Sequence, residues 1–127
     1  MDIEGIDHVG IVTGNLAESA TFFSNNLGFA QGVVEEAREL KLKMVLLTRG
    51  ADTIELLEPD TKEGATFGLR HIAFRCRDID RLIEELREKN IKLLHQTPQQ
   101  YENKRFFFCK GTDGVLLEFI EEPEELM

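Results

Sequence analysis

The sequence contains no tryptophan, only two cysteines, and few cations for its acids: 15 Lys and Arg against 24 Asp and Glu in 127 residues. A net charge of −9 argues against a phosphate backbone as the main partner, because that contact needs clustered cations. No nucleic-acid partner is therefore expected. Cys76 and Cys109 stand in strand-like stretches without CxxC spacing. They read as reduced, buried thiols and not as a disulfide, a ligand pair or a nucleophile. No apolar run approaches the roughly 20 residues that span a bilayer. Met1-Asp2-Ile3-Glu4 has neither the basic start nor the apolar core of a signal peptide. The expectation is a cytoplasmic protein with no membrane partner.

What is present fits a folded domain: 42% hydrophobic and 31% charged residues. The length suits one compact domain, or two small half-domains sharing a core. Much of the acid lies on helix faces and in the tail Glu121-Glu122-Pro123-Glu124-Glu125, where solvated charge is the ordinary explanation.

The chain repeats itself. The strand Gly5-Ile6-Asp7-His8-Val9-Gly10-Ile11-Val12 has its counterpart in Leu69-Arg70-His71-Ile72-Ala73-Phe74-Arg75-Cys76, at an offset of 63 residues. Glu55 follows His8 by 47 positions, and Glu118 follows His71 by the same 47. With 17 glutamates in the chain, that coincidence alone proves little. The neighbours carry the case: Ile54-Glu55-Leu56-Leu57-Glu58-Pro59 falls on Leu117-Glu118-Phe119-Ile120-Glu121-Glu122, and Asn15-Leu16 falls on Asp78-Ile79.

Each half reads β-α-β-β-β. In the first, Asn15 caps a helix with Glu18 three residues on, and Leu16, Ala20, Phe23 and Leu27 recur at helical spacing before Gly28 stops it. Phe29 to Glu36 reads as a strand. Leu40, Leu42, Met44 and Leu46 alternate with lysines at 41 and 43, the period of a half-buried strand. Gly50-Ala51-Asp52 turns into the strand of Glu55, and residues 60–68 read as a linker. In the second half Asp78 caps a helix with Ile79, Leu82, Ile83 and Leu86 on one face, ended at Asn90. Strands are expected at 91–96, 105–110 and 115–121, with a polar loop over 97–103. The fold class is α+β, with two tandem modules at about residues 3–59 and 69–122.

Alternation along a strand sharpens this. His8 shares a face with Ile6, Gly10 and Val12, and His71 with Leu69, Ala73 and Arg75. The opposite faces (Val9, Ile11, Ile72, Phe74, Ile54, Leu56, Leu117, Phe119) are apolar and belong against the helices. His8, Glu55, His71 and Glu118 thus have the parity of the side away from the helices. Gly10 and Ala73, each two residues beyond a histidine, leave room there. Two imidazoles and two carboxylates suit one divalent ion: nickel, zinc, cobalt, manganese or iron. Such an ion is a Lewis acid for a carbonyl and stabilises the enediolate left when a neighbouring C–H is deprotonated. A glutamate is the natural base, Glu118 before Glu55.

These stretches resemble the vicinal oxygen chelate superfamily, the glyoxalase/bleomycin-resistance fold. The resembling segments are Ile6 to Ile11, Asn15-Leu16 through Leu27-Gly28-Phe29, Glu55 to Pro59, His71 to Phe74, and Thr112-Asp113-Gly114 through Phe119. The resemblance implies two βαβββ modules forming a curved, mostly antiparallel sheet around a metal, with ligand positions on His8, Glu55, His71 and Glu118. It also implies a homodimer, and a small-molecule substrate such as a thiol adduct or thioester. The His/Glu/His/Glu set is most similar to glyoxalase I (lactoylglutathione lyase), a proton-transferring lyase/isomerase, although that enzyme's Asn-Trp-Gly phrase is absent. The alternative is a methylmalonyl-CoA epimerase, which resembles the chain in Asp7 to Ile11 and Glu55 to Pro59. For the base an epimerase carries before its third strand, only Glu36 and Glu39 stand nearby. A metal-free binding protein of the bleomycin-resistance kind ranks third.

Arg75 has the parity of the metal face, and Arg38, Arg49, Lys104 and Arg105 lie near strand ends. Each reads first as a solvated cation and second as a grip on the substrate's anionic end. His95, without a counterpart in the first half, reads as a surface histidine. Phe106 to Phe108 read as core and wall.

Overall fold

The computed structural model describes residues 2–122, so the acidic tail from Pro123 onward lies outside the described residues. It is an α+β protein with strands β1 (Ile3–Val12), β2 (Ala30–Gln31), β3 (Glu35–Ala37), β4 (Leu42–Arg49), β5 (Asp52–Pro59), β6 (Gly68–Cys76), β7 (Gln99–Tyr101), β8 (Lys104–Lys110) and β9 (Leu116–Glu121). Its helices are α1 (Leu16–Leu27) and α2 (Ile79–Glu88). The chain divides into two compact units, His8–Arg70 and Met1–Asp7 with His71–Met127, so β1 contributes residues to both.

In the unit of residues 8–70 the strand order is β2-β4-β5-β1, with β3 also on β4. β5 runs parallel to β1 and antiparallel to β4. The Asn15 side chain accepts the Glu18 N–H at 3.0 Å, the expected cap. Gly28, at φ 76°, ends α1 in the left-handed region, and Phe29 N–H reaches back to the Phe23 carbonyl. Leu16 and Ala20 bury against Val45, Leu47 and Leu56, flanked by Ile11, Phe23, Phe29 and Ile54. Leu27, at the helix end, is exposed instead. The strand expected over 29–36 is two short ones, β2 and β3. The strand expected from Leu40 begins at Leu42, because Arg38–Leu40 form a 3-10 turn closed by Lys41 at φ 56°. Its Lys41 N–H bonds the Arg38 carbonyl, which takes that residue out of extended geometry.

In the other unit the order is β1-β6-β9-β8-β7, with β6 and β9 parallel. Asp78 caps α2 by accepting the Arg81 N–H at 3.2 Å. Asn90, at φ 59°, follows the helix in the left-handed conformation that Asn tolerates. Ile79, Leu82, Ile83 and Leu86 are all buried, with Cys76, Leu93, Phe107, Cys109 and Phe119. Each such side chain is worth about 1.5–3 kcal/mol of transfer free energy, so this stripe holds α2 to its sheet. Two expectations fail here. Residues 91–96 are no strand: only an isolated bridge, Leu93 to Cys109, forms there. The polar stretch 97–103 holds β7, which pairs with β8 from Gln99↔Phe106 to Tyr101↔Lys104. Glu102, at φ 54°, makes the two-residue turn, and no glycine marks it.

Candidate functional site

Two histidine–glutamate pairs are built alike, one in each unit. In the unit of residues 8–70, the parallel register of β1 and β5 sets Gly10 opposite Glu55. His8, two residues before Gly10, therefore shares Glu55's face. In the other unit the register of β6 and β9 sets Ala73 opposite Glu118, and His71 stands two residues before Ala73. The small residue faces the carboxylate in both pairs, so no bulky side chain stands across from it on the histidine's strand. His8 and His71 are buried, and both glutamates are half-buried. His71 Nε2 lies 3.5 Å from Glu118 Oε1. Buried polar groups of this kind need a proton, a partner or an ion between them.

The wall beside His71 is aromatic. Phe108 pairs with Glu118 across β8 and β9, and its ring meets His71 edge-on at 5.6 Å. Phe106 pairs with Ile120 on the same face, while Phe107 points the other way, fully buried in the core. The phenylalanine run is thus core and wall, as expected. His95 is not the surface histidine the sequence suggested: it is half-buried, and its Nδ1 accepts the Phe108 N–H at 3.1 Å. It was missed because it lies outside any strand and outside the repeat.

Two further glutamates of the repeat, Glu58 and Glu121, belong to the scaffold. Glu58 Oε1 accepts the Leu16 N–H at 2.6 Å, at the start of α1, and Glu121 Oε2 accepts the Ile79 N–H at 2.8 Å, at the start of α2. Each satisfies an orphan donor and places negative charge at the positive helix end. The Lys62 hydrogen bond, then that of Leu16, holds the Glu58 carboxyl below its ordinary range. Arg105 is bound to Glu121 at 2.7 Å and to Asp80 at 3.1 Å, which raises its own pKa and removes it from the substrate candidates. Arg75 Nη1 donates to the Ile6 carbonyl at 2.8 Å. Arg38 faces Glu36 at 3.8 Å and Lys104 faces Glu122 at 3.4 Å, both in exposed pairs.

Of the acids near the third strand, Glu36 pairs with Lys43, and Lys43 with Glu58, so Glu36 is on the helix side. Glu39 sits in the 3-10 turn. Glu35 pairs with Met44, which pairs with Leu57 on the Glu55 side. It is Glu35, not its neighbours, that shares a face with Glu55.

The thiols are as expected. Burial, followed by the charges of Glu121, Glu4 and Asp78, pushes Cys76 up to about 12, and burial raises Cys109. Among the described residues no helix is long and apolar enough to cross a membrane.

The chain is also similar to known proteins. The chain is 33% identical to the uncharacterized protein YwkD of Bacillus subtilis (strain 168), over 96% of this chain and 100% of that protein. It is 27% identical to the mitochondrial methylmalonyl-CoA epimerase of Dictyostelium discoideum, covering 92% of this chain and 78% of the relative. A solved methylmalonyl-CoA epimerase in complex with methylmalonyl-CoA and NH4+ is 26% identical, with a TM-score of 0.79 over 94% of this chain and 95% of that one. These similarities favour the epimerase alternative over lactoylglutathione lyase. The model of the glyoxalase family matches residues 5–119, and the chain belongs to the Glyoxalase/Bleomycin resistance protein/Dioxygenase superfamily.

Proposed function

We propose that this protein is a proton-transferring isomerase of a small acyl thioester, of the methylmalonyl-CoA epimerase type, and that His8, Glu55, His71 and Glu118 hold one divalent ion. The observation that carries the proposal is the duplicated register, a histidine and a glutamate on one face with Gly10 or Ala73 between them. The similarity to methylmalonyl-CoA epimerases supports the thioester. The donors fit such an ion. Neutral imidazole and carboxylate suit nickel, zinc, cobalt, manganese and iron. The 3.5 Å between His71 Nε2 and Glu118 Oε1 is near the roughly 3 Å between adjacent donors bound about 2.1 Å from one centre.

When bound, the ion supplies Lewis-acid polarisation of the substrate carbonyl. The chain's own residues do the rest. Glu118, half-buried beside Phe108, is the first candidate to take the proton from the carbon next to the thioester, with Glu55 second. Return of a proton to the opposite side of that carbon inverts it. Glu35, exposed on the Glu55 face of β3, is the carboxylate available as the second proton carrier.

The test is exchange of the C2 proton of methylmalonyl-CoA for deuterium, followed by NMR with the protein loaded in turn with each metal. Inversion is expected, and Glu118→Gln should lower it by about 10²–10⁴-fold, the usual worth of a general base. Turnover only of a methylglyoxal–thiol adduct would restore the lactoylglutathione lyase reading. Oxygen consumption with Fe²⁺ would overturn both.

A further inference from the structure

His95 has a fixed orientation that the proposed function does not use. Its Nδ1 accepts the Phe108 N–H at 3.1 Å. A ring nitrogen that accepts carries no proton, so the ring's proton is on Nε2. The two nitrogens of an imidazole point away from each other. Nε2–H is therefore directed away from the β8 backbone. The bond with Phe108 is the one hydrogen bond of His95 among the described residues, and none of their buried side-chain nitrogens or oxygens lacks a partner. Nε2 is consequently not sealed from solvent.

The ring is also held in place. Phe106 and Phe108 meet it edge-on at 5.9 Å each, with interplanar angles of 86° and 69°. Those two phenylalanines flank Glu118's face of the sheet, and Phe108 carries His71 on its ring as well. A single N–H donor thus stands on an aromatic wall beside the His71–Glu118 pair. Such a donor selects an oxygen over a methyl group. A ligand without that oxygen would strip its water and leave it unpaired, which costs affinity.

We propose that His95 is a specificity-determining residue whose Nε2–H donates to the free carboxylate of a dicarboxylic acyl substrate, separating methylmalonyl-type from plain acyl thioesters. The proposal rests on the thioester reading for the identity of the substrate. The probes are free methylmalonate and propionate, with dissociation constants measured by calorimetry for the full-length protein and two variants. In His95→Asn the amide oxygen can still accept the Phe108 N–H, but the far donor is gone. In His95→Gln the amide nitrogen reaches the position of Nε2.

Wild type should prefer methylmalonate. His95→Asn should lose about tenfold or more of that affinity, as for a hydrogen bond to a charged group. It should keep its propionate affinity and melting temperature, and His95→Gln should recover most of the loss. In ¹⁵N NMR of wild type, the Nε2–H signal of His95 should move on adding methylmalonate and stay still with propionate. A stationary signal, an unchanged constant in His95→Asn, an equal loss in both variants, or no methylmalonate binding by wild type would each overturn the proposal. Turnover of methylmalonyl-CoA is read separately. If methylmalonate binds as described but the ester is not turned over, the function fails and His95 stands; turnover with a stationary Nε2 signal means the reverse.

Discussion

Removing the Glu121 carboxylate should destabilise the fold without touching the candidate chemistry. Glu121 Oε2 accepts the first N–H of α2, and Oε1 takes both Nε and Nη2 of Arg105, at 3.0 and 2.7 Å. Losing an N-terminal acceptor costs about 1 kcal/mol. The charge at the helix end adds about 0.3–1 kcal/mol. The Arg105 pair contributes less, about 0.2–1 kcal/mol, because the arginine side chain is 37% exposed and keeps Asp80 as a partner. Together these make about 2 kcal/mol for Glu121→Ala, or a drop in Tm of roughly 6–10 °C for a chain this size. Glu121→Gln keeps one oxygen to accept the Ile79 N–H but loses the charge and the second oxygen that takes Arg105, so about half the drop should return. Glu58→Ala should behave alike at α1, where Leu16 N–H and Lys62 are the partners. Calorimetric melting of the four proteins is the assay. A Glu121→Ala protein melting within about 2 °C of wild type would refute the reasoning, as would a Gln variant no better than Ala.

Two other outcomes are expected. Because Glu58 is held below its ordinary range in the folded state, its contribution is complete above the unfolded carboxyl value of about 4.3 and disappears as pH falls through the lower folded value. The Tm gap between wild type and Glu58→Gln should therefore be constant near neutral pH and close below about pH 4; a gap that widens on acidification would contradict it. Cys76 and Cys109, 3% and 1% exposed with raised pKa values, should resist a thiol reagent at about pH 8 in the native protein and react fully in denaturant. Rapid native labelling would show that the α2 core opens.

The parts of the fold that follow from local chemistry were legible before any coordinates. Asn15, Asp78, Gly28 and Asn90 bound the two helices because each residue solves a terminal hydrogen-bonding or backbone problem on its own. The apolar stripe of α2 was equally plain. The hairpin at Glu102 was not, since its turn lacks glycine and β7, Gln99-Gln100-Tyr101, has no alternating apolar pattern. The bridge at Leu93 depends on where Cys109 lies in space, which no spacing along the chain reveals.

The repeat was the strongest signal and also the most easily over-read. It duplicates structural solutions as faithfully as chemical ones: Glu58 and Glu121 recur at the same offset as Glu55 and Glu118, yet they cap helices. Parity separates the two kinds. Glu55 and Glu58 are three residues apart in one strand, as are Glu118 and Glu121, so an odd step turns each later glutamate to the opposite face. That face holds the apolar core and the helix N-termini, where a carboxylate has waiting N–H donors. The face of Glu55 and Glu118 presents histidines and small residues instead. A carboxylate repeated in both halves therefore points to chemistry only when its strand neighbours put it on the side away from the helices. Glu35 meets that condition across Met44 while Glu36 does not, although one position along the chain is all that divides them.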